Sequence, residues 1–138
     1  MCAITTVMVS GGFSILHIGH IRLIQSAAEF GDVIVALNSD EWLARKQGSP
    51  QVPWAERAEV LLALRHVAKV VPVEDSNGTV CEAIARFHPM YFANGGDRTE
   101  AEPREHAMCE RLRIVELFGI GGGKLRSSRE FIMERASL

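Results

Sequence analysis

The chain begins Ala3-Ile-Thr-Thr-Val-Met-Val9 and runs straight into Ser10-Gly11-Gly12-Phe13-Ser14-Ile-Leu-His17-Ile-Gly-His20. The first piece is β-branched and almost unbroken in its apolarity, as expected of a central strand buried on both faces of a parallel sheet. After the glycine pair, Ile21, Ile24 and Ala28 recur at helical spacing together with Leu16, Leu23 and Ala27, until Gly31 ends the segment. Strand, loop and helix then repeat along the chain. Val33 to Leu37 is a second buried strand, and Asn38 or Ser39 caps a short helix with Asp40 and Glu41 in its first turn. Gln47 to Pro53 is a loop, and Pro53 opens a helix through Trp54, Val60, Leu61, Leu64 and Arg65. Val67 to Val73 is strand three, Asn77-Gly78 a turn, Val80 to Phe87 a helix, and Met90 to Ala93 a short strand. A polar loop follows over Asn94 to Thr99, then a helix from about Pro103 to Leu112, a fifth strand over Ile114 to Leu117 and a loop over Gly119 to Gly123. Ser127-x-x-Glu130 is a capping-box signature for a terminal helix. This alternation predicts an α/β fold, a doubly wound five-stranded parallel sheet with helices on both faces, with its ligands at the carboxyl ends of the strands.

With 138 residues, the whole span 1–138 is expected to form one domain with one function-bearing site. Hydrophobic residues make up 47% and charged residues 23%, and the net charge is −2, a balance that disfavours disorder and polyanion binding. No nucleic-acid partner is expected. All of the 15 basic and 17 acidic residues lie after Ile21, where an even spread would put about five before it. So long a charge-free opening approaches the roughly 20 residues of a membrane span. Ser10-Gly11-Gly12 interrupts it, His17 and His20 sit near its end, and no basic leader region precedes it, so no membrane association is expected. Cys2, Cys81 and Cys109 are too scattered for a disulfide framework or a metal pair, which suits a reducing, cytoplasmic compartment.

Gly11 and Gly12 let backbone N–H groups approach a phosphate, and the helix start behind them adds a positive dipole. His17 and His20, three residues apart, share one face in the first turn of that helix. A single histidine there would read as a partly buried packing residue. Two of them on a glycine-led helix start point instead to an anion.

The stretch Gly11-Gly-Phe13-Ser14-Ile-Leu-His17-Ile-Gly-His20 resembles the Gly-x-Phe-Asp-x-x-His-x-Gly-His signature of the cytidylyltransferase-like nucleotidyltransferases. The likeness continues through Val35 to Glu41, Arg45-Lys46, Glu56 to Val60, Leu64-Arg65, Asn94-Gly-Gly96-Asp97 and Ser127-Ser128. It is nearest to the glycerol-3-phosphate cytidylyltransferase and heptose-1-phosphate adenylyltransferase branch. The resemblance implies a Rossmann-like homodimer in which a phosphate oxygen of the acceptor attacks the α-phosphorus of CTP or ATP in line, expelling pyrophosphate with its Mg2+. The acceptor it implies is a small phosphorylated polyol or sugar. It implies that His17 and His20 contact the triphosphate, that Lys46 reaches the phosphates and that Arg65 binds phosphate. Gly11, Gly12, Phe13, Ser14, Asn94 and Gly96 would line the nucleotide site, with Asp97 accepting ribose hydroxyls or helping to hold the metal. Ser127 and Ser128 would hold the β- and γ-phosphates at the last helix, with Lys124 or Arg126 nearby. Without a fused kinase domain the resemblance implies the free-standing transferase. No protein metal site is expected.

Other motifs fail. Gly119-Ile-Gly-Gly-Gly-Lys124-Leu125 has neither the spacing nor the hydroxyl of a P-loop, and the third glycine of a dinucleotide fingerprint is missing. His17-x-x-His20 lacks the further ligand of a zinc site. The His-Ile-Gly-His tetrapeptide is shared with class I aminoacyl-tRNA synthetases, whose catalytic and tRNA-binding domains exceed this length. One departure stands inside the match: Ser14 occupies the family's aspartate position. A serine caps a helix but brings no charge. The alternative to an active transferase is therefore a nucleotide-binding or regulatory module with weak or no turnover. A purely interaction-bearing domain would make the histidine pair, Lys46, Asp97 and the serine pair coincidental.

Overall fold

A computed structural model describes residues 4–48, 52–95 and 102–122. Its elements run β1 (Thr6–Gly11), α1 (Ile18–Ala27), β2 (Asp32–Leu37), α2 (Asp40–Gln47), α3 (Trp54–Leu62), β3 (Val67–Pro72), α4 (Cys81–Phe87), β4 (Tyr91–Gly95), α5 (Pro103–Leu112) and β5 (Val115–Ile120). All neighbouring strands are parallel, in the order β3-β2-β1-β4-β5. The expected α/β sheet is therefore present, with β1 at its centre.

Alternation along the strands supplies two cores. Val7, Val9, Val33, Val35 and Leu37 face Ile24 and Ala27 of α1 and Ala58 and Leu61 of α3. Their neighbours Met8, Ile34 and Ala36 face the opposite way, against Ala83 and Ile84 of α4 and Cys109 of α5. A period of two on strands covered on both faces explains why these segments are apolar throughout. Among the described residues no helix is long and apolar enough to cross a membrane.

Several boundaries differ from the sequence reading. β1 starts at Thr6 and extends through both Ser10 and Gly11, because β2 continues to pair with it as far as Gly11 opposite Leu37. β3 stops at Pro72, which has no N–H to give to the ladder. β5 does not end at Leu117: it continues through Gly119, at φ +65, so that Ile120 pairs with Gly95. The start of the expected Gly119–Gly123 loop is therefore strand. Ser39, not Asn38, caps α2, its hydroxyl accepting from the Trp42 N–H at 3.1 Å. Pro53 is the cap residue before α3 rather than its first helical position, and its carbonyl accepts from Glu56 and Arg57. The terminal helix read from Ser127 lies outside the described residues.

Candidate active site

In the order 3-2-1-4-5 the chain leaves β1 toward one edge of the sheet and β4 toward the other. The crevice at the carboxyl ends of β1 and β4 is thus the topological switch point, where such sheets receive ligands. The loop over residues 12–16 and the start of α1 lie there.

His17 is the cap of α1, in extended conformation, and its Nδ1 accepts from the Gly19 N–H at 3.1 Å. His20 returns the contact, its Nδ1 accepting from the His17 N–H at 3.4 Å. With both Nδ1 atoms used as acceptors, each neutral ring carries its proton on Nε2. The rings stack at 3.9 Å between centroids and 27° between planes, and the Phe13 ring leans on His20 at 4.9 Å. Burial, and then the charge of His17, lower the His20 pKa from 6.5 to about 4. His20 is therefore a neutral N–H donor near neutral pH. The first turn of α1 contains no carboxylate; the Gly19 N–H is capped by His17 Nδ1 and the His20 N–H donates to the His17 carbonyl at 3.0 Å, so the positive helix end and the two Nε2–H groups are what this turn can offer an anion.

The loop before the pair is held by close packing. A Cβ on Gly12 would lie 2.6 Å from Leu43 Cδ2 and 3.4 Å from Trp42 Cζ3, so the glycine brings the loop against α2. Phe13 follows at φ +47, a left-handed conformation rare for an aromatic residue. Ser14 meets Gln47, whose Nε2 lies 3.4 Å from its Oγ, at the end of the helix that carries Lys46. The Lys46 ammonium lies 4.6 Å from the centre of the Trp42 ring, and Trp42 in turn abuts Gly12.

The structure thus brings together Gly11, Gly12, Phe13, Ser14, His17 and His20, with Lys46 joined to them through Trp42. Asn94 is buried near the end of β4, the strand beside β1, and donates to the Leu117 carbonyl at 3.3 Å, a tie between β4 and β5. Arg65 follows α3 and precedes β3 by two residues, near the amino ends of the strands. There it lines a shallow hollow with Ile21, Ile24, Gln25, Leu64 and His66. Ile21 in that hollow directly follows His20 on α1, so Arg65 packs beside α1 one turn beyond the histidine pair. Gly96, Asp97, Lys124, Arg126, Ser127 and Ser128 lie outside the described residues. Among the described residues no group of three His, Cys, Asp or Glu side chains could hold a metal ion.

Two buried polar residues support the site and carry no role in the sequence reading. Asp75, in the segment after β3, accepts from Asn38 Nδ2 at 3.0 Å, Ser39 N–H at 2.9 Å and Ser39 Oγ at 2.6 Å. Burial pushes its carboxyl upward, but the Ser39 and Asn38 hydrogen bonds outweigh that and hold it below its ordinary value. Arg57 of α3 ties together the Gly12, Asn38 and Val52 carbonyls and pairs with Asp40. Its only sequence signal was its place in the Glu56-Arg57 match.

Fold and loop define a Rossmann-like α/β domain with a histidine-capped helix start at its switch point. Comparison of sequences then identifies the group: the cytidylyltransferase-like profile matches residues 8–119, and the chain belongs to that nucleotidyltransferase family. It is 47% identical over 113 residues to the bifunctional protein HldE of Sulfurimonas denitrificans, a match covering 80% of this chain and 23% of that protein. It is 40% identical, also over 113 residues, to the FAD synthase of Pyrococcus abyssi, covering 80% of this chain and 74% of the synthase. The chain spans about a quarter of the length of that bifunctional relative. Among solved structures, the lipopolysaccharide core biosynthesis protein of Thermoplasma volcanium superposes with a TM-score of 0.72. That match has 24% identity and covers 88% of this chain and all of the other, supporting the fold.

Proposed function

We propose that this protein transfers an NMP unit from CTP or ATP to a small sugar- or polyol-phosphate. A phosphate oxygen of the acceptor bonds to the α-phosphorus while the bond from that phosphorus to the β-bridging oxygen breaks. Pyrophosphate leaves with the Mg2+ that entered on the triphosphate. No covalent intermediate with the protein is required, so positioning and charge neutralisation carry the rate.

The stacked His17–His20 pair at the start of α1 is the observation that carries this reading. Two Nε2–H donors and a helix N-terminus suit the charge that builds on the α-phosphate as the bonds exchange. Lys46 would bring an ammonium from α2, and Asp97, Ser127 and Ser128 are assigned to the ribose and the outer phosphates on family resemblance. The membership of a FAD synthase among the relatives supports the ATP arm, since FAD contains an adenylate unit. A homodimer in the cytoplasm is part of the proposal.

The test incubates the protein with Mg2+, each of the four NTPs and a panel of phosphorylated sugars and polyols, and measures pyrophosphate. Acceptor-dependent release with ATP or CTP, lost in His20→Ala, is expected. Nucleotide binding without release, with turnover appearing in Ser14→Asp, would instead identify a binding module. No binding of any NTP at millimolar concentration would defeat both readings.

A further inference from the structure

Arg57 is 2% exposed, and its hydrogen bonds go to the walls of the site. Its Nε donates to the Val52 carbonyl at 2.9 Å, Nη1 to the Gly12 and Asn38 carbonyls at 2.7 and 3.0 Å, and Nη2 to Asp40 Oδ1 at 2.7 Å. One planar fork therefore joins the loop after β1, the loop after β2 and the approach to α3. Desolvating a guanidinium is costly, and an apolar side chain of similar volume would fill the same core. What an apolar side chain cannot do is orient three carbonyl groups.

The Gly12 carbonyl is the informative one. The peptide after it is trans, as are all the others, so fixing its oxygen on Arg57 turns the Phe13 N–H to the opposite side. Among the described residues none accepts a hydrogen bond from that N–H. Phe13 is held at φ +47, with its ring against His20. Strain of this kind persists where the surroundings over-determine it, and here Arg57 behind and Leu43 beside the loop do so.

We propose that Arg57 is a positioning residue for nucleotidyl transfer: it locks the Gly12–Phe13 peptide so that the Phe13 N–H is presented to a phosphate oxygen beside His20. This rests on the nucleotidyltransferase reading above. Lysine does not replace it, because one ammonium cannot span the four acceptors that the fork reaches.

The experiment follows the Phe13 amide and the His20 ring by NMR in the full chain while ATP or CTP is added with Mg2+, alongside steady-state pyrophosphate release. In the wild type both signals are expected to move. In Arg57→Lys the His20 signals still move, the Phe13 amide response falls by at least half, and kcat falls at least tenfold with the nucleotide KM changed less than threefold. Loss of folded protein alone would lower the active fraction without suppressing the Phe13 response of the folded remainder. A folded Arg57→Lys with wild-type response and kcat overturns the proposal. So does a wild type in which His20 moves and Phe13 does not, a result that leaves the nucleotide reading intact. Failure of both nucleotides to move His20 overturns both. Should Arg57→Lys not fold, Asp40→Ala carries the test, since it removes the acceptor of Nη2 and frees one end of the fork at a half-exposed carboxylate. The Phe13 response and kcat then each fall at least threefold, and wild-type values in that variant overturn the proposal.

Discussion

Acidification should destabilise this protein through one residue at its centre of function. His20 has a pKa of about 4 in the folded chain against 6.5 in an ordinary setting, first because it is buried and then because His17 stacks on it. Protonating Nδ1 would also set a proton against the His17 N–H that it now accepts. The unfolded chain binds a proton at His20 below pH 6.5 and the folded chain resists until about 4, so stability rises with pH across that window. Above pH 6.5 the contribution is complete, and it is lost progressively as pH falls. At about 1.4 kcal/mol per unit, the loss is about 1.4 kcal/mol by pH 5.5 and between about 2 and 3 kcal/mol by pH 4.5. His20→Asn is the matched comparison, because its amide oxygen replaces the Nδ1 acceptor and does not titrate. Urea unfolding followed by the fluorescence of Trp42 and Trp54 at pH 7.5, 5.5 and 4.5 gives the difference between the two proteins. Carboxylates titrate in both and cancel. Parallel pH dependence of wild type and variant, or an NMR titration of His20 near 6.5, would refute the assignment of this burial and stacking. A bound polyphosphate favours the protonated ring, so nucleotide addition should also raise the His20 titration midpoint.

Two further outcomes probe the frame around the pair. Gly121→Ala combines φ +89 with a Cβ 2.8 Å from the Leu23 backbone N and 2.9 Å from its Cα, neither of which can move away. Strain and overpacking together should cost about 2–4 kcal/mol, read as a lower urea midpoint at unchanged slope. Asp75→Ala leaves Asn38 Nδ2 and the Ser39 N–H without their acceptor and should cost about 2–4 kcal/mol, whereas Asp75→Asn, keeping one acceptor oxygen, should cost less than half as much.

The sheet and its central strand could be read from Ala3 to His20 because a both-face-buried strand, a glycine turn and a helical period are local patterns. The histidine pair was legible for the same reason, its spacing of three being a helix property. β5 was read too short because Gly119 has the look of a loop residue, and only pairing with a distant strand shows that the chain continues to Ile120. Arg57 was invisible for a stronger reason. Its neighbour Glu56 and its helical setting describe a solvated face, while its acceptors lie 45, 19, 17 and 5 residues away in chain. Asp75 likewise satisfies partners more than 35 residues distant. Arg65 shows the converse: a motif position places it in the family match, while the structure adds that it shares a hollow of α1 with Ile21, the residue after His20.

The central claim is transfer of an NMP unit to a phosphate, and following the α-phosphorus tests it most directly. With ATP or CTP labelled at the α-phosphate, Mg2+ and the phosphorylated acceptor that supports release, the account predicts label in a new nucleotidylated acceptor, equimolar with pyrophosphate. His20→Ala should form neither. Label recovered as free NMP, or a γ-label carried to the acceptor, would contradict the account, since the first is hydrolysis and the second is kinase chemistry.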